Sequence, residues 1–248
     1  MGNNGKGIYF NSKNIHIGDK EEYVVWLDIM GIQSAMVRSL HTSANFIFKL
    51  HIAALESKKK DDGVRLYPVM DGMYIVSEKK AVIKKILEKV MMRLIEEFNK
   101  QSEHKHRFLA RASIAKGYVI HGDTIGDETS DALVYNSRHK DSIVLGMPVI
   151  FAYKSEKEAP PFGVSLHYSA VDILDSDDLS WSYKWWRWFK NSKKLDAFKS
   201  FKKNIKDYFR WCSERGYLIE YDKNRMQLHC DMVNQYFFND SPLLFDDN

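Results

Sequence analysis

The chain has little of what marks a secreted or membrane-bound protein. Its 248 residues contain only two cysteines, Cys212 and Cys230, which form no metal-type pair. A disulfide framework is thereby excluded, and a reducing cytoplasm is the expected compartment. No uninterrupted apolar run approaches the roughly 20 residues needed to cross a bilayer. No transmembrane segment is expected. The opening Met1-Gly2-Asn3-Asn4-Gly5-Lys6 lacks an apolar signal-peptide core and carries Lys6 where a myristoylation signal calls for Ser or Thr. Internal repeats and low-complexity tracts are absent, and the net charge is only +4. With 44% hydrophobic and 28% charged residues, the remainder reads as globular material.

Periodicity then orders the chain. Residues 1–20 read as a loose arm or a short edge strand. Tyr23–Ile29 is a buried strand, and Ile32, Met36, Leu40, Ala44, Ile47, Leu50 and Ala54 recur at the spacing of one long helix ending near Glu56. After the solvated turn Lys58–Gly63, strands near Val64–Met70 and Met73–Val76 flank an Asp-Gly pair, the strongest short-range hairpin signal. Ser77 is the expected cap of the next helix, whose apolar face runs from Val82 to Phe98. His104-Lys105-His106 has no acidic or Cys partner at metal-ligand spacing and reads as a solvated connection.

Phe108–Gly117 alternates as a strand, continued by Tyr118–His121, and His121 reads as a turn residue sooner than a base. An irregular insertion is expected over 122–145. A helix opens at Gly146 with Pro148 in its first turn, Pro160-Pro161 stops it, and Phe162–Tyr168 is a further strand. The order β-α-β-β-α-β, then helix and strand, gives an α+β fold with a ferredoxin-like core. A composition shift at Asp175–Asp178 marks the expected boundary between a domain of residues 1–175 and a C-terminal helical extension of residues 176–248.

Two acids stand out. Asp28 ends the first strand, and Asp71, 43 residues further on, sits at the hairpin tip. An Asp-Gly turn is commonly nothing more than a turn. A strand-end Asp and a hairpin Asp separated by one helix, however, can meet across adjacent strands. Two carboxylates sharing one site repel unless cations lie between them, which points to Mg²⁺ or Mn²⁺.

The extension differs in kind. It holds five of the six tryptophans, and between Lys184 and Arg210 there are ten Lys or Arg residues against two acids. Leu195, Phe198, Ile205, Phe209 and Cys212 share one helical face, with Lys199, Lys202, Lys203 and Lys206 largely elsewhere. The expected reading is an aromatic stripe packed on the main domain. An anionic membrane surface and a nucleic-acid backbone are the alternatives, nucleic acid being the less expected partner. A last helix is expected over Asn224–Asn239.

Strand-Asp28-Ile29-Met30-Gly31-Ile32, a helix, and a hairpin bearing Asp71 together resemble the class III nucleotidyl cyclase catalytic domain. Arg111–Val119 is similar to that family's Arg/apolar/Gly strand, and Gly146–Glu156 to its late interface helix. The resemblance covers roughly residues 20–170. It implies that Asp28, Asp71 and the carbonyl of Ile29 hold two divalent cations, Mg²⁺ or Mn²⁺. It also implies that the backbone amides of Met30, Gly31 and Ile32 cradle phosphate, and that a nucleoside triphosphate is cyclised at a homodimer interface.

The departures narrow the resemblance. Adenylate-type members carry a base-reading Lys where Tyr67 stands. Their ribose-orienting Asn and transition-state Arg correspond to Ile150 and Lys154. Lys154 can still supply positive charge; Ile150 cannot hydrogen-bond a ribose. Tyr67 and the aromatic-basic extension look more like the bacterial pyrimidine cyclases of Pycsar anti-phage systems. Those make cyclic UMP or cyclic CMP as a signal to a separate effector. On that resemblance UTP is the expected substrate and CTP the next. Arg111 is either a second base-reading group or a structural arginine. An adenylate or guanylate cyclase, or an inactive nucleotide-binding relative, remains the alternative.

Overall fold

The computed structural model describes residues 17–125, 131–176, 182–190 and 195–238. The chain runs β1 (Glu22–Met30), α1 (Ile32–Arg38), α2 (Leu40–Ser57), β2 (Arg65–Val69), β3 (Gly72–Ser77), α3 (Lys80–Lys100), β4 (Leu109–Gly117) and β5 (Ile120–His121). Then come α4 (Asp131–Val134), α5 (Ser137–Asp141), β6 (Val144–Leu145), α6 (Met147–Ser155), β7 (Val164–Leu166), α7 (Leu195–Arg215) and α8 (Lys223–Phe237). Residues 1–16 of the arm expected over residues 1–20 and the acidic tract Asp177-Asp178 fall outside the described residues, as does Trp181.

β1 is the middle of a five-stranded sheet ordered β2-β3-β1-β4-β7. It pairs antiparallel with both β3 and β4, while β7 adds to β4 in parallel. The first four strands thus have the ferredoxin-like order with an added edge, and β5 pairs with β6 in a separate ribbon. Strand alternation divides β1 cleanly. Tyr23, Val25, Leu27 and Ile29 enter the main core with α2, α3 and α7, whereas Val24 and Trp26 join Tyr67, Tyr74 and Ala152 in a smaller cluster on the opposite face.

The single long helix expected after β1 is two. Ser39 is extended (φ −160°, ψ 108°), and its Oγ accepts from the Thr42 N–H at 3.2 Å, starting α2 afresh. Apolar spacing reads straight through such a break, because a serine's local hydrogen bond competes with the helix ladder without disturbing the pattern. Ser77 likewise does not cap α3. It ends β3, its Oγ accepting from Lys79 N–H at 3.3 Å, and Lys79 occupies the cap position.

The extension packs as the aromatic pattern predicts. Phe201, Ile205, Tyr208, Phe209 and Cys212 of α7 are buried with Phe98 of α3 in one continuous core. Phe98 and Phe201 meet edge-on, their centroids 5.9 Å apart. The tryptophans strap this unit to β7: Trp185 Nε1 donates to the Glu158 carbonyl and Trp188 Nε1 to the Phe162 carbonyl, each at 2.8 Å. Lys202 and Lys206 lie over the Phe238 ring at 5.3 and 4.8 Å, so part of the basic stripe covers aromatic surface. Among the described residues, no helix is long and apolar enough to cross a membrane.

Candidate active site

The hairpin turn consists of Met70 and Asp71, since Val69 pairs with Gly72 and Met70 takes φ 51°. The Asp-Gly signal therefore found the right hairpin for a different reason. Gly72 is the first residue of β3, and a Cβ there would stand 2.5 Å from the Trp26 ring and 2.8 Å from the Leu27 carbonyl. Glycine is required for close approach to β1, which brings Asp71 to the end of that strand. Asp28 lies opposite Arg111 in the β1–β4 register, on the face that carries Trp26. Gly31, at φ 72°, turns the chain from β1 into α1 beside it.

Asp28, Ile29, Met30, Gly31, Ile32, Asp71 and Arg111 all line one cavity of about 510 Å³. Seven of the nine residues singled out in the sequence are therefore brought together. The side chain of Ile29 is buried in the main core. Asp28 is perturbed most. Burial first, then the charges of Glu156 and Asp71, push its carboxyl up to about 8, against the opposing pull of Arg111.

Glu156 was not singled out from the sequence. It is buried in the turn after α6, its charge raises the Asp28 carboxyl, and it forms an ion pair with Arg111 Nε, while Arg111 Nη1 donates to the Lys157 carbonyl at 3.3 Å. The signal that could have found it is helical spacing: Pro148, Ala152 and Glu156 occupy the buried face at four-residue intervals. An acid at a core position demands a partner. With Glu156 and Lys157 engaging it, Arg111 is a held guanidinium, which fits the structural reading of this residue.

Tyr67 and Lys154 stand apart from the cavity. Tyr67 is only 4% exposed in the smaller core cluster. Its hydroxyl meets His121 Nδ1 at 2.5 Å, the rings stack with centroids 5.9 Å apart, and His121 Nε2 lies 2.6 Å from Glu22 Oε1. His121 is thus a buried link between Glu22 and Tyr67. The sequence reading of His121 as a turn residue missed this buried role. Burial pushes the Tyr67 phenol above its usual range. Lys154 is exposed on α6, in a face where Met147, Ile150 and Tyr153 are 55%, 46% and 58% exposed. Of these, Tyr153 reaches the cavity rim, its ring 5.7 Å from Trp26.

The far wall of the cavity comes from the extension: Tyr208 of α7, the turn Ile219–Asp222, and Arg225 and His229 of α8. His229 Nδ1 meets the Tyr221 hydroxyl at 2.6 Å, and burial together with Arg111 and Arg225 lowers its pKa to about 4, so it is a neutral ring. No sequence motif pointed to this wall, because its residues are scattered over a turn and one helix face. Among the described residues, no cluster of three or more His, Cys, Asp or Glu side chains is arranged to hold a metal. His104 instead stacks on Trp211 at 5.6 Å.

Two carboxylates with a backbone carbonyl beside them nevertheless suit Mg²⁺ or Mn²⁺. Such ions are commonly held by one or two acids, with substrate phosphates and water completing the shell. The raised carboxyl of Asp28 is the sign of a charge that needs compensation.

No protein-family model matches the sequence, and no curated protein matches it. Among solved structures, a bacterial light-regulated adenylyl cyclase superimposes with a TM-score of 0.53 at 12% identity, over 80% of this chain and 59% of that one. A second structure of a bacterial light-regulated adenylyl cyclase gives 0.48 at 13%, over 67% and 48%. A dimeric guanylyl cyclase domain of the RhoGC fusion protein from the aquatic fungus Blastocladiella emersonii gives 0.46 at 14%, over 67% and 93%. The chain therefore spans about half the length of the bacterial cyclase chains it matches. At these identities the likeness is one of fold: an α+β cyclase-type catalytic fold, followed here by a helical extension.

Proposed function

We propose that the chain is a nucleotidyl cyclase of the class III type, working as a homodimer. It would convert a nucleoside triphosphate to its 3′,5′-cyclic monophosphate and pyrophosphate. The observation that carries the reading is Asp28, half-buried near the end of β1 against Asp71 and Glu156, with its carboxyl driven up to about 8. A fold without a cation to bind gains nothing from keeping those charges together. Two Mg²⁺ or Mn²⁺ ions held by Asp28, Asp71 and the Ile29 carbonyl would lower the pKa of the 3′-hydroxyl and neutralise the triphosphate.

The chain's own residues do the rest. Backbone amides of Met30, Gly31 and Ile32 bind phosphate oxygens beside the acids. The 3′-oxygen attacks the α-phosphorus in line as its proton passes to solvent water; a new P–O bond forms, the bond to the β-phosphate breaks, and pyrophosphate leaves. Lys154 offers its charge to this reaction from the second subunit. Dimer formation through the α6 face draws support from its exposed apolar side chains, Met147, Ile150 and Tyr153.

For the base, we favour a pyrimidine, UTP before CTP, from the tyrosine that stands where purine cyclases of the adenylate type carry Lys. The product would be a second messenger for a separate effector in bacterial anti-phage defence, a setting supported by the sequence resemblance alone. One observation favours a purine instead: the Tyr67 hydroxyl is already bonded to His121, which leaves it a packing role.

The test is purified protein with Mn²⁺ and each of the four triphosphates separately, products resolved by mass. Cyclic UMP or cyclic CMP in excess supports the full reading. Cyclic AMP or GMP in excess keeps the cyclase and overturns the pyrimidine. No cyclic product from any of the four overturns the reaction.

A further inference from the structure

The cavity beside Asp28 and Asp71 is closed on its far side by residues outside the cyclase-like core. Arg38, at the end of α1, and Arg225, in the first turn of α8, both line it. Other cations nearby are engaged. Arg111 pairs with Glu156, Lys105 with Glu103 at 2.7 Å, and Arg107 is buried on the Phe98 ring with its nitrogens donating to the Gln101 and Asn204 carbonyls.

Arg38 and Arg225 have no carboxylate partner among the described residues. Arg38 donates from Nε to the Ser34 carbonyl at 3.2 Å and from Nη1 to the Leu218 carbonyl at 3.0 Å, and its Nη2 has no partner among the described residues. The Arg225 guanidinium makes no hydrogen bond among the described residues. The wall's own acids are Glu220 and Asp222, and Asp222 is occupied in capping α8 through the Arg225 N–H at 2.9 Å. The cavity thus has in its lining a pair of carboxylates and two guanidiniums that have no carboxylate partner among the described residues. Its volume of about 510 Å³ lies in the range of nucleotide-sized ligands.

We infer that Arg38 and Arg225 form a terminal-phosphate site, through which the C-terminal extension holds the β- and γ-phosphates of the substrate and the pyrophosphate that leaves. The inference rests on the triphosphate reading above. Guanidinium forks match phosphate oxygens bidentately, and their charge would add to that of the metal ions on the phosphates that leave. The contact of Arg38 with Leu218 also makes phosphate binding and docking of the extension mutually dependent.

The experiment is calorimetric titration of the full chain with inorganic pyrophosphate in the presence of Mn²⁺, for the wild type, Arg225→Gln, Arg38→Gln and Arg225→Lys, with thermal unfolding as the check on folding. Each Gln variant is expected to weaken pyrophosphate about tenfold or more, and Arg225→Lys to recover part of it. KM for the triphosphate should rise in step, with a smaller change in kcat, while affinity for the 3′,5′-cyclic product, which lacks those phosphates, stays as in the wild type. Pyrophosphate affinity that is absent in the wild type, unchanged in folded variants, or lost equally with that of the cyclic product would overturn the site. Arginine-dependent pyrophosphate binding in a protein that cyclises nothing would leave the site standing and remove the cyclase reading. A working cyclase indifferent to both arginines would do the reverse.

Discussion

On one face of the sheet, Tyr23, Val25, Leu27 and Ile29 of β1 are sealed beneath α2, α3 and α7. On the other, the same strand offers Val24, Trp26 and Asp28 to a cover made of α6 and the β5–β6 ribbon. The first face contains almost nothing but apolar side chains. The second carries Asp28, Arg111 and the Glu22–His121–Tyr67 chain, and its covering helix leaves Met147, Ile150 and Tyr153 to solvent. A strand with period two can serve both ends at once: odd positions hold the fold together and even positions hold charges in tension. Stability and chemistry are then separable by single substitutions one residue apart.

The largest expected effect tests the charged face. Asp28→Ala and Asp71→Ala should each lower cyclic-nucleotide formation by about a hundredfold or more while circular dichroism and dimer mass stay those of the wild type. Full activity in either would remove the shared metal site and with it the contrast between the faces. Lys154→Ala comes next, with turnover down about tenfold, the scale of one lost charge-stabilising donor. Unchanged turnover would mean that α6 contributes packing only.

Adjacent residues then sharpen the comparison through stability. Leu27→Ala should cost about 3 kcal/mol, because a fully buried leucine leaves a cavity that the core cannot close. Asp28→Asn should do the opposite in metal-free protein. Its carboxyl is raised in the folded state, so the unfolded chain gives up its proton first, and wild-type stability falls as pH rises from about 4 to about 8. Asn has no such proton to lose. The variant should therefore gain nothing over wild type at pH 4 and progressively more as pH rises to neutral, in chemical denaturation followed across that window. A variant no more stable at pH 7 than at pH 4, relative to wild type, would mean that Asp28 is not held under repulsion.

Much of this was legible in the sequence because it depends on local pattern. Alternation located β1 and β4, an apolar stripe located α3, and the aromatic face of α7 indicated its packing. The acids were found because a strand end and a hairpin tip are recognisable places. What escaped depends on tertiary placement. Glu156 sits among Lys154, Lys157 and Glu158 and looks like a solvated charge until α6 is docked on β4. The Tyr67–His121 bond joins residues 54 apart, and no spacing rule connects them. Ser39 breaks a helix whose apolar period continues undisturbed on both sides. Arg38, Tyr221, Arg225 and His229 meet only because α8 returns to the end of β1.

The claim that most needs testing is that the charged face is half of a site completed by a second copy. Asp28→Ala and Lys154→Ala proteins, each low in activity alone, are mixed under conditions where subunit exchange is demonstrated by mass, and cyclic-nucleotide formation is measured. In a mixed dimer one site carries both lesions and the other neither. Activity is predicted to return to about a quarter of wild type, from half of the dimers having one of two sites intact. No recovery after proven exchange would place Asp28 and Lys154 in the same site of one subunit, and the composite account would be wrong.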